Sequence, residues 1–394
     1  MPYSPTAFQR LMEPLDRRTI ARAVAAHDGD HGVGRGDNAW TCERHLKALV
    51  FAQVAGLNSL REIITGLAAH SRWFYHLNMR MPCRSTLSDA NAARPAAVFR
   101  DIAVGLIAIA GRSLRQKGNA LIRLLDSTPI PLKGEAFPWA EANSRTRGLK
   151  LHVLHDSRQG HPVWFEVTSA KTDDAVAGRA VPLEAGVTYI YDKGYTDFRR
   201  WREIIDAGAF FVTRRKYNTK RRDIKEQPVQ GEGILADRRL KIGHRQARGG
   251  APRNPIYDTE LREIEVDRPD HDKPLYLLTN DFKRSAPEIA KLYKERWDIE
   301  LLFKWLKQNL KIRTFLGRSE NAVRIQIYIA LIAFLLLRIL HQAADCSFKH
   351  STTKLLTRLK LSWCSPLDLC NHATPPPKPP AERPPSPQAC LVFE

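Results

Sequence analysis

The sequence predicts a mixed α/β protein with an all-α amino-terminal part, a core of strands and helices, and a β-rich insertion inside that core. Three observations carry this. Apolar residues recur at helical spacing through 20–26, 46–57 and 98–109. From residue 119 the period becomes strand-like, with a short helix at 198–207 among the strands, and a long helix follows from Ser285.

In the helical part, the segment 28–37 is rich in Gly and Asp. No strand precedes it, as a dinucleotide phosphate cradle requires, so it reads as a loop. A helix starts at Asn58 or Ser59. The run Cys83-Arg-Ser-Thr-Leu-Ser-Asp-Ala-Asn91 sets hydroxyls and amides ahead of another helical segment. Arg and Ser near helix starts suit phosphate contacts, and an ordinary helical bundle gives the same pattern.

The core opens with an apolar strand, 120–126, that ends in Asp126 and should be stopped by Ser127-Thr-Pro129. Strands 149–156 and 162–167 follow, joined as a hairpin by the turn 157–160. A polar link, 171–180, leads to 187–192, a second apolar strand ending in aspartate, Asp192, with Lys193-Gly-Tyr195 behind it. Helix 198–207 and strand 209–213 complete the unit. If the two strands that end in Asp are adjacent, Asp126 and Asp192 meet at one sheet edge. Metal ions about 3.5–4 Å apart need such carboxylates, and without a cation the pair repels. Asp156 and the pair Asp173-Asp174 compete for that role, but neighbours in sequence do not converge on one ligand. His152 and His155 are too few for zinc.

Residues of about 215–280 read as an insertion. The run Arg214, Arg215, Lys216 to Arg222 is strongly basic, and Arg238, Arg239, Lys241, Arg245 and Arg248 add to it. Such a run is either a solvated loop or a DNA-facing surface, and its place beside the carboxylates favours the second. Segments 260–266 and 275–279 suggest antiparallel strands. Ser285 then caps a long helix, with Pro287 in its first turn and Glu288 at the capping-box position. A last apolar helix, 322–343, packs in the core, and the proline-rich stretch 374–387 lacks the means to form one.

Composition narrows the partner. Lys+Arg number 62 against 42 Asp+Glu, a formal charge of +20 with pI near 9.9. This balance points to a polyanion, with nucleic acid leading. Six scattered cysteines lack zinc spacing and read as reduced thiols. No apolar signal core is expected at the start, and the apolar run 327–337 falls short of the roughly 20 residues that cross a bilayer. The expected location is cytoplasmic, associated with the nucleoid when on DNA, with no membrane and no small-molecule substrate.

The long helix carries Tyr293-x2-Arg296-x3-Glu300-x6-Lys307. At about 100° per residue these four fall within about 60° of one another. With Leu-Leu-Asp126-Ser-Thr and Tyr-Asp192-Lys-Gly-Tyr, this spacing resembles the bacterial DDE transposases of the insertion sequence 4 family. The resemblance covers residues of about 4–345 and includes 84–91 and 148–152. Lys193 stands where that family more often has arginine.

The resemblance implies an RNase H-like catalytic core over 116–345, a helical DNA-binding domain over 1–115, and a carboxy-terminal segment over 346–394. It implies catalysis by Asp126, Asp192 and Glu300 holding two Mg²⁺ or Mn²⁺ ions. It also implies DNA contacts by Tyr293, Arg296 and Lys307, with Lys193, Arg214, Arg215 and Lys216 beside them. Trp297 either stacks on an unpaired base or packs in the core. The expected partners are terminal inverted repeats, target DNA and a second copy of the chain in synapsis. A decayed DNA-binding remnant and a metal-dependent nuclease without strand transfer are the alternatives.

Overall fold

The structure, a computed structural model, describes residues 5–34, 36–113, 121–133, 135–142, 146–245, 253–269, 272–310, 312, 314–343 and 352–361. The proline-rich stretch, Ala120, Arg248 and four of the cysteines (Cys346, Cys364, Cys370, Cys390) lie outside them.

Side-chain caps start the amino-terminal helices. Helix α1 (Ala7–Met12) opens on a Thr6–Gln9 capping box, and α2 (Arg17–Ala26) on Asp16. Thr41 caps α3 (Cys42–Ala55). Ser59 caps α4 (Leu60–Ala69), accepting from the Glu62 amide as the expected start requires. Helices α5 (Phe74–Leu77), α6 (Arg84–Ala93) and α7 (Ala96–Ser113) complete the set.

Strands β1 (Ile122–Pro131), β2 (Gly148–Asp156) and β3 (His161–Ser169) form an antiparallel meander. Gly160, at φ +67°, closes the β2–β3 turn in the left-handed conformation that glycine adopts without strain. Helix α8 (Asp174–Gly178) leads to β4 (Thr188–Tyr191), and α9 (Phe198–Asp206) to β5 (Phe210–Arg214). Both strands run parallel in the sheet with β1. The order β3-β2-β1-β4-β5, antiparallel then parallel, is RNase H-like.

Two expectations about local structure are corrected. Strand β1 does not stop at Ser127. It pairs with β2 through Pro131, while its parallel pairing to β4 ends at Leu125–Tyr191. Beyond Asp126, β1 therefore has β2 alone as partner, and a strand with one free side tolerates Pro129. The helix after Ser285 is not continuous either. It divides into α10 (Ala286–Lys294) and α11 (Trp297–Asn309), with Arg296 N–H bonding Tyr293 C=O and Asp298 N–H bonding Glu295 C=O. Those tight bonds fall where the Glu295 carboxylate accepts from Ser157 Oγ and Arg158 of the β2–β3 turn.

The insertion is β-rich, as expected, but it does not stand apart. Strands β6 (Arg221–Gln227), β7 (Ile234–Ile242), β8 (Leu261–Val266) and β9 (Leu275–Thr279) extend the core sheet to nine strands, because β9 returns to pair antiparallel with β5.

Helix α12 (Glu320–Ala343) is long and apolar enough to cross a membrane, yet its most apolar stretch is 89% buried inside the protein. It packs against α3, α6, α7 and β3, and α13 (Thr352–Leu361) covers it further. The amino-terminal helices and one face of the sheet thus share one hydrophobic core, while Tyr189, Trp201 and Phe211 centre a second on the other face. The sheet edge that carries the acidic residues is held between them.

Candidate active site

The parallel register Leu125–Tyr191 makes Asp126 and Asp192 the next residue on each of two neighbouring strands. After Tyr191 the chain turns into a 3₁₀ turn, Lys193–Tyr195, and after Leu125 strand β1 loses its β4 partner. Both carboxylates therefore sit where the sheet opens, half-buried.

The α10–α11 junction supplies the third carboxylate and a bridging cation. Arg296 Nη1 lies 3.3 Å from Asp126 Oδ2, and Arg296 Nη2 lies 2.7 Å from Glu300 Oε1. Tyr293, buried in α10, donates its hydroxyl to Asp192 Oδ1 at 3.4 Å. Arg214, at the end of β5, approaches the same Asp192 oxygen at 3.7 Å. Three acids from β1, the end of β4 and α11 thus share one cluster with two guanidinium groups.

Burial pushes Asp126 up to about 6, and the charges on Glu300 and Asp192 add to the rise. The Ser127 amide, 2.8 Å from Asp126 Oδ1, and the Arg296 cation oppose it. Burial likewise raises the Tyr293 hydroxyl, with the Asp192 charge second, so Tyr293 stays a donor.

The donor set fits a hard divalent cation. It offers carboxylate oxygens, without thiol or imidazole, and a raised aspartate that a nearby cation would return to its charged form. Among the described residues, no three His, Cys, Asp or Glu side chains already stand close enough to cage a metal. Asp126 and Glu300 are joined instead through Arg296, and Asp192 is held by Tyr293 and Arg214.

The other expected site residues divide. Lys193 is exposed directly after Asp192, and Lys216 is exposed on the loop after β5. Trp297 is 60% exposed at the start of α11, so it is not a core residue. Lys307 lies two turns beyond Glu300 on the same helix, about 10 Å along the axis. Arg215 does not join the cluster. Its side chain is 8% exposed, 2.6 Å from the fully buried Glu263 carboxylate and over the Tyr276 ring.

One polar network escapes a reading by motif. Asp174 Oδ1 accepts from Ser127 Oγ at 3.2 Å and from Lys150 Nζ at 3.1 Å. His152 bonds Tyr195 Oη and Thr168 Oγ1, and burial brings it down to about 4. These groups brace β1 behind Asp126. Period-two spacing of Lys150 and His152 on β2 puts both on the face next to Ser127, a signal the sequence does carry. Asp156 accepts from the Arg158 and Gln159 amides and so serves the turn.

Residues 117–336 match the family described as Transposase DDE domain, and residues 4–80 match a Domain of unknown function (DUF4372). A putative transposase of Sinorhizobium fredii is 45% identical over 263 residues, 66% of this chain and 71% of its own length. A probable transposase for insertion sequence element IS5377 of Geobacillus stearothermophilus is 26% identical over 368 residues, 92% and 88% of the two chains. Among solved structures, a piggyBac transposase synaptic complex with hairpin DNA is similar at TM-score 0.46 and 11% identity, over 91% of this chain and 79% of that one.

Proposed function

The chain belongs to the DDE transposases of insertion sequences, and from that premise we propose that Asp126, Asp192 and Glu300 are its catalytic carboxylates, acting at the ends of its own element. It is an enzyme of DNA cleavage and strand transfer. The observation that carries the residue assignment is the meeting of Asp126 and Asp192 at the ends of paired parallel strands, with Arg296 linking Asp126 to Glu300.

The three acids would hold two Mg²⁺ or Mn²⁺ ions. Such ions, when bound, lower the pKa of an attacking water and neutralise charge on a leaving 3′ oxygen. The protein's own groups position the DNA. Arg296 and Lys307 clamp phosphates beside the scissile bond, with Arg296 already oriented by its two carboxylates. Tyr293 and Arg214 hold Asp192 at one carboxylate oxygen. Lys193 and Lys216 lie exposed along the same edge, where phosphates can reach them. Trp297 offers an aromatic face to an unpaired base.

The reaction follows a cut-and-paste course. Water attacks the phosphodiester at each terminal inverted repeat and frees a 3′-OH. That hydroxyl attacks the opposite strand, forming a hairpin and releasing flanking DNA. A second water hydrolyses the hairpin phosphodiester and frees the 3′-OH again, and that hydroxyl attacks a phosphodiester of target DNA, displacing its 3′ oxygen. Two copies of the chain pair the two ends, and the amino-terminal helices over 1–115 contribute to end binding. The work takes place in the cytoplasm, on the nucleoid.

The test is a strand-labelled duplex carrying one element end, incubated with protein and Mg²⁺ and resolved on a denaturing gel. A hairpin product that appears after the first nick supports this course. Nicks that accumulate without hairpin or strand transfer would leave a nuclease.

A further inference from the structure

The insertion and the core enclose a second feature beside the carboxylates. A hollow of about 550 Å³ lies between the first turn of α9 and the loop after β5, lined by Thr196, Phe198, Arg199, Lys216 and Lys220 among others. Two of its lining residues are close in the chain to the acidic cluster. Thr196 follows Asp192 by four residues, and Ala175 on its wall follows Asp174, which is bonded to Ser127 next to Asp126.

The hollow is positively charged. Arg199, Lys216 and Lys220 are exposed, and none of their side chains is in an ion pair among the described residues. The one acid on the wall among the described residues, Asp197, is paired with Arg179 at 2.6 Å. Phe198 adds a half-buried aromatic ring, seated against Trp201 at 5.5 Å between ring centres. Cations along a groove with an aromatic platform are what single strands need: the cations follow the backbone, and a ring stacks on whichever base arrives. The volume is that of a ligand pocket. That volume takes a few nucleotides rather than a whole duplex, whose major groove is itself wide enough to admit an α-helix.

We propose that this hollow is a subsite for unpaired nucleotides of the DNA strand that runs off the catalytic edge, an inference that rests on the DNA-acting reading above. Arg199 and Lys220 neutralise its phosphates, and Phe198 stacks on a base.

The experiment measures fluorescence anisotropy with two labelled probes, an oligo(dT) of about 12 nucleotides and a blunt duplex carrying the element end. Arg199→Gln/Lys220→Gln is expected to weaken oligo(dT) binding about tenfold and to lower its log–log salt slope by about 1.4, two phosphates at roughly 0.7 each. Duplex binding stays within about twofold. Phe198→Leu is expected to weaken oligo(dT) binding while leaving the salt slope unchanged, since stacking releases no counterions. Unchanged oligo(dT) binding in the double variant, or an equal loss on both probes, overturns the subsite. If the unaltered protein binds the duplex but not oligo(dT), the subsite alone falls. If it binds neither, the DNA-acting reading falls with it.

Discussion

Asp126 and Asp192 each occupy the first position beyond the last parallel pair of β1 and β4, Leu125 with Tyr191. Strand geometry therefore sets two acids side by side at an open edge, where burial and like charge hold Asp126 up at about 6. Such an arrangement costs stability.

Asp126→Asn should separate these effects. Neutralising one acid removes repulsion, so the melting temperature is expected to hold or rise, by the equivalent of up to about 1 kcal/mol. DNA cleavage should fall by about a thousandfold, several kcal/mol of barrier. Thermal melting and a cleavage assay on one preparation check both. A variant that loses stability and activity together would make Asp126 a structural residue.

Arg296 bridges Asp126 and Glu300 with separate nitrogens, a task suited to a planar guanidinium. Arg296→Lys supplies charge without the fork and is expected to bind DNA with little change but cleave it about 10–100-fold more slowly, a loss of about 1.5–3 kcal/mol typical of a charged hydrogen bond. Cleavage at the unaltered rate would deny the bridge any part in the reaction.

Glu263 is fully buried on β8, with Arg215 at 2.6 Å, Arg221 at 3.1 Å and Arg238 at 3.5 Å. Removing the acid strands the buried Arg215 and takes a partner from Arg221, while Arg238 keeps Glu226 and Glu265. Glu263→Ala is expected to destabilise the protein by about 3–5 kcal/mol, read by urea unfolding. A loss under about 1 kcal/mol would mean that the network behaves as a surface ion pair.

Acid should unfold the protein through its histidines. Burial holds His155 down at about 3 and His152 at about 4 in the folded state, against about 6.5 unfolded. The unfolded chain then binds more protons below about 6.5, so stability is full above that pH and is lost as pH falls through the window towards 3. Each histidine contributes at most about 1.4 kcal/mol per pH unit, and Asp126, raised to about 6, offsets part of it with the opposite sign. Melting temperature measured from pH 7.5 to 5 should drop, and His155→Gln should flatten the drop. A melting temperature independent of pH over that range contradicts this account.

Much of this is readable in the residues, and the exceptions have physical causes. Asp126 and Asp192 are legible because each ends a dense apolar run, and Glu300 because Tyr293, Arg296 and Lys307 share its spacing. Strand β1 runs through Pro129 because pairing to β2 outweighs a local stop signal. The break between α10 and α11 falls where Glu295 bonds Ser157 and Arg158, nearly 140 residues away in the chain, a contact that no local pattern records. Arg214 and Arg215 look alike in a basic run, yet extended backbone sends neighbours to opposite sides, one to Asp192 and the other to Glu263. That distinction needs the sheet.

The most direct test compares the protein with Glu300→Gln on DNA carrying the element's own ends, in Mg²⁺, with end-specific strand breaks as the readout. The substitution keeps the shape of the side chain and removes one charge from the cluster. The account predicts breaks at the element ends with the unaltered protein and a loss of about a thousandfold or more in the variant, with end binding retained. Equal cleavage by both proteins, or binding to the ends with cleavage by neither, would contradict it.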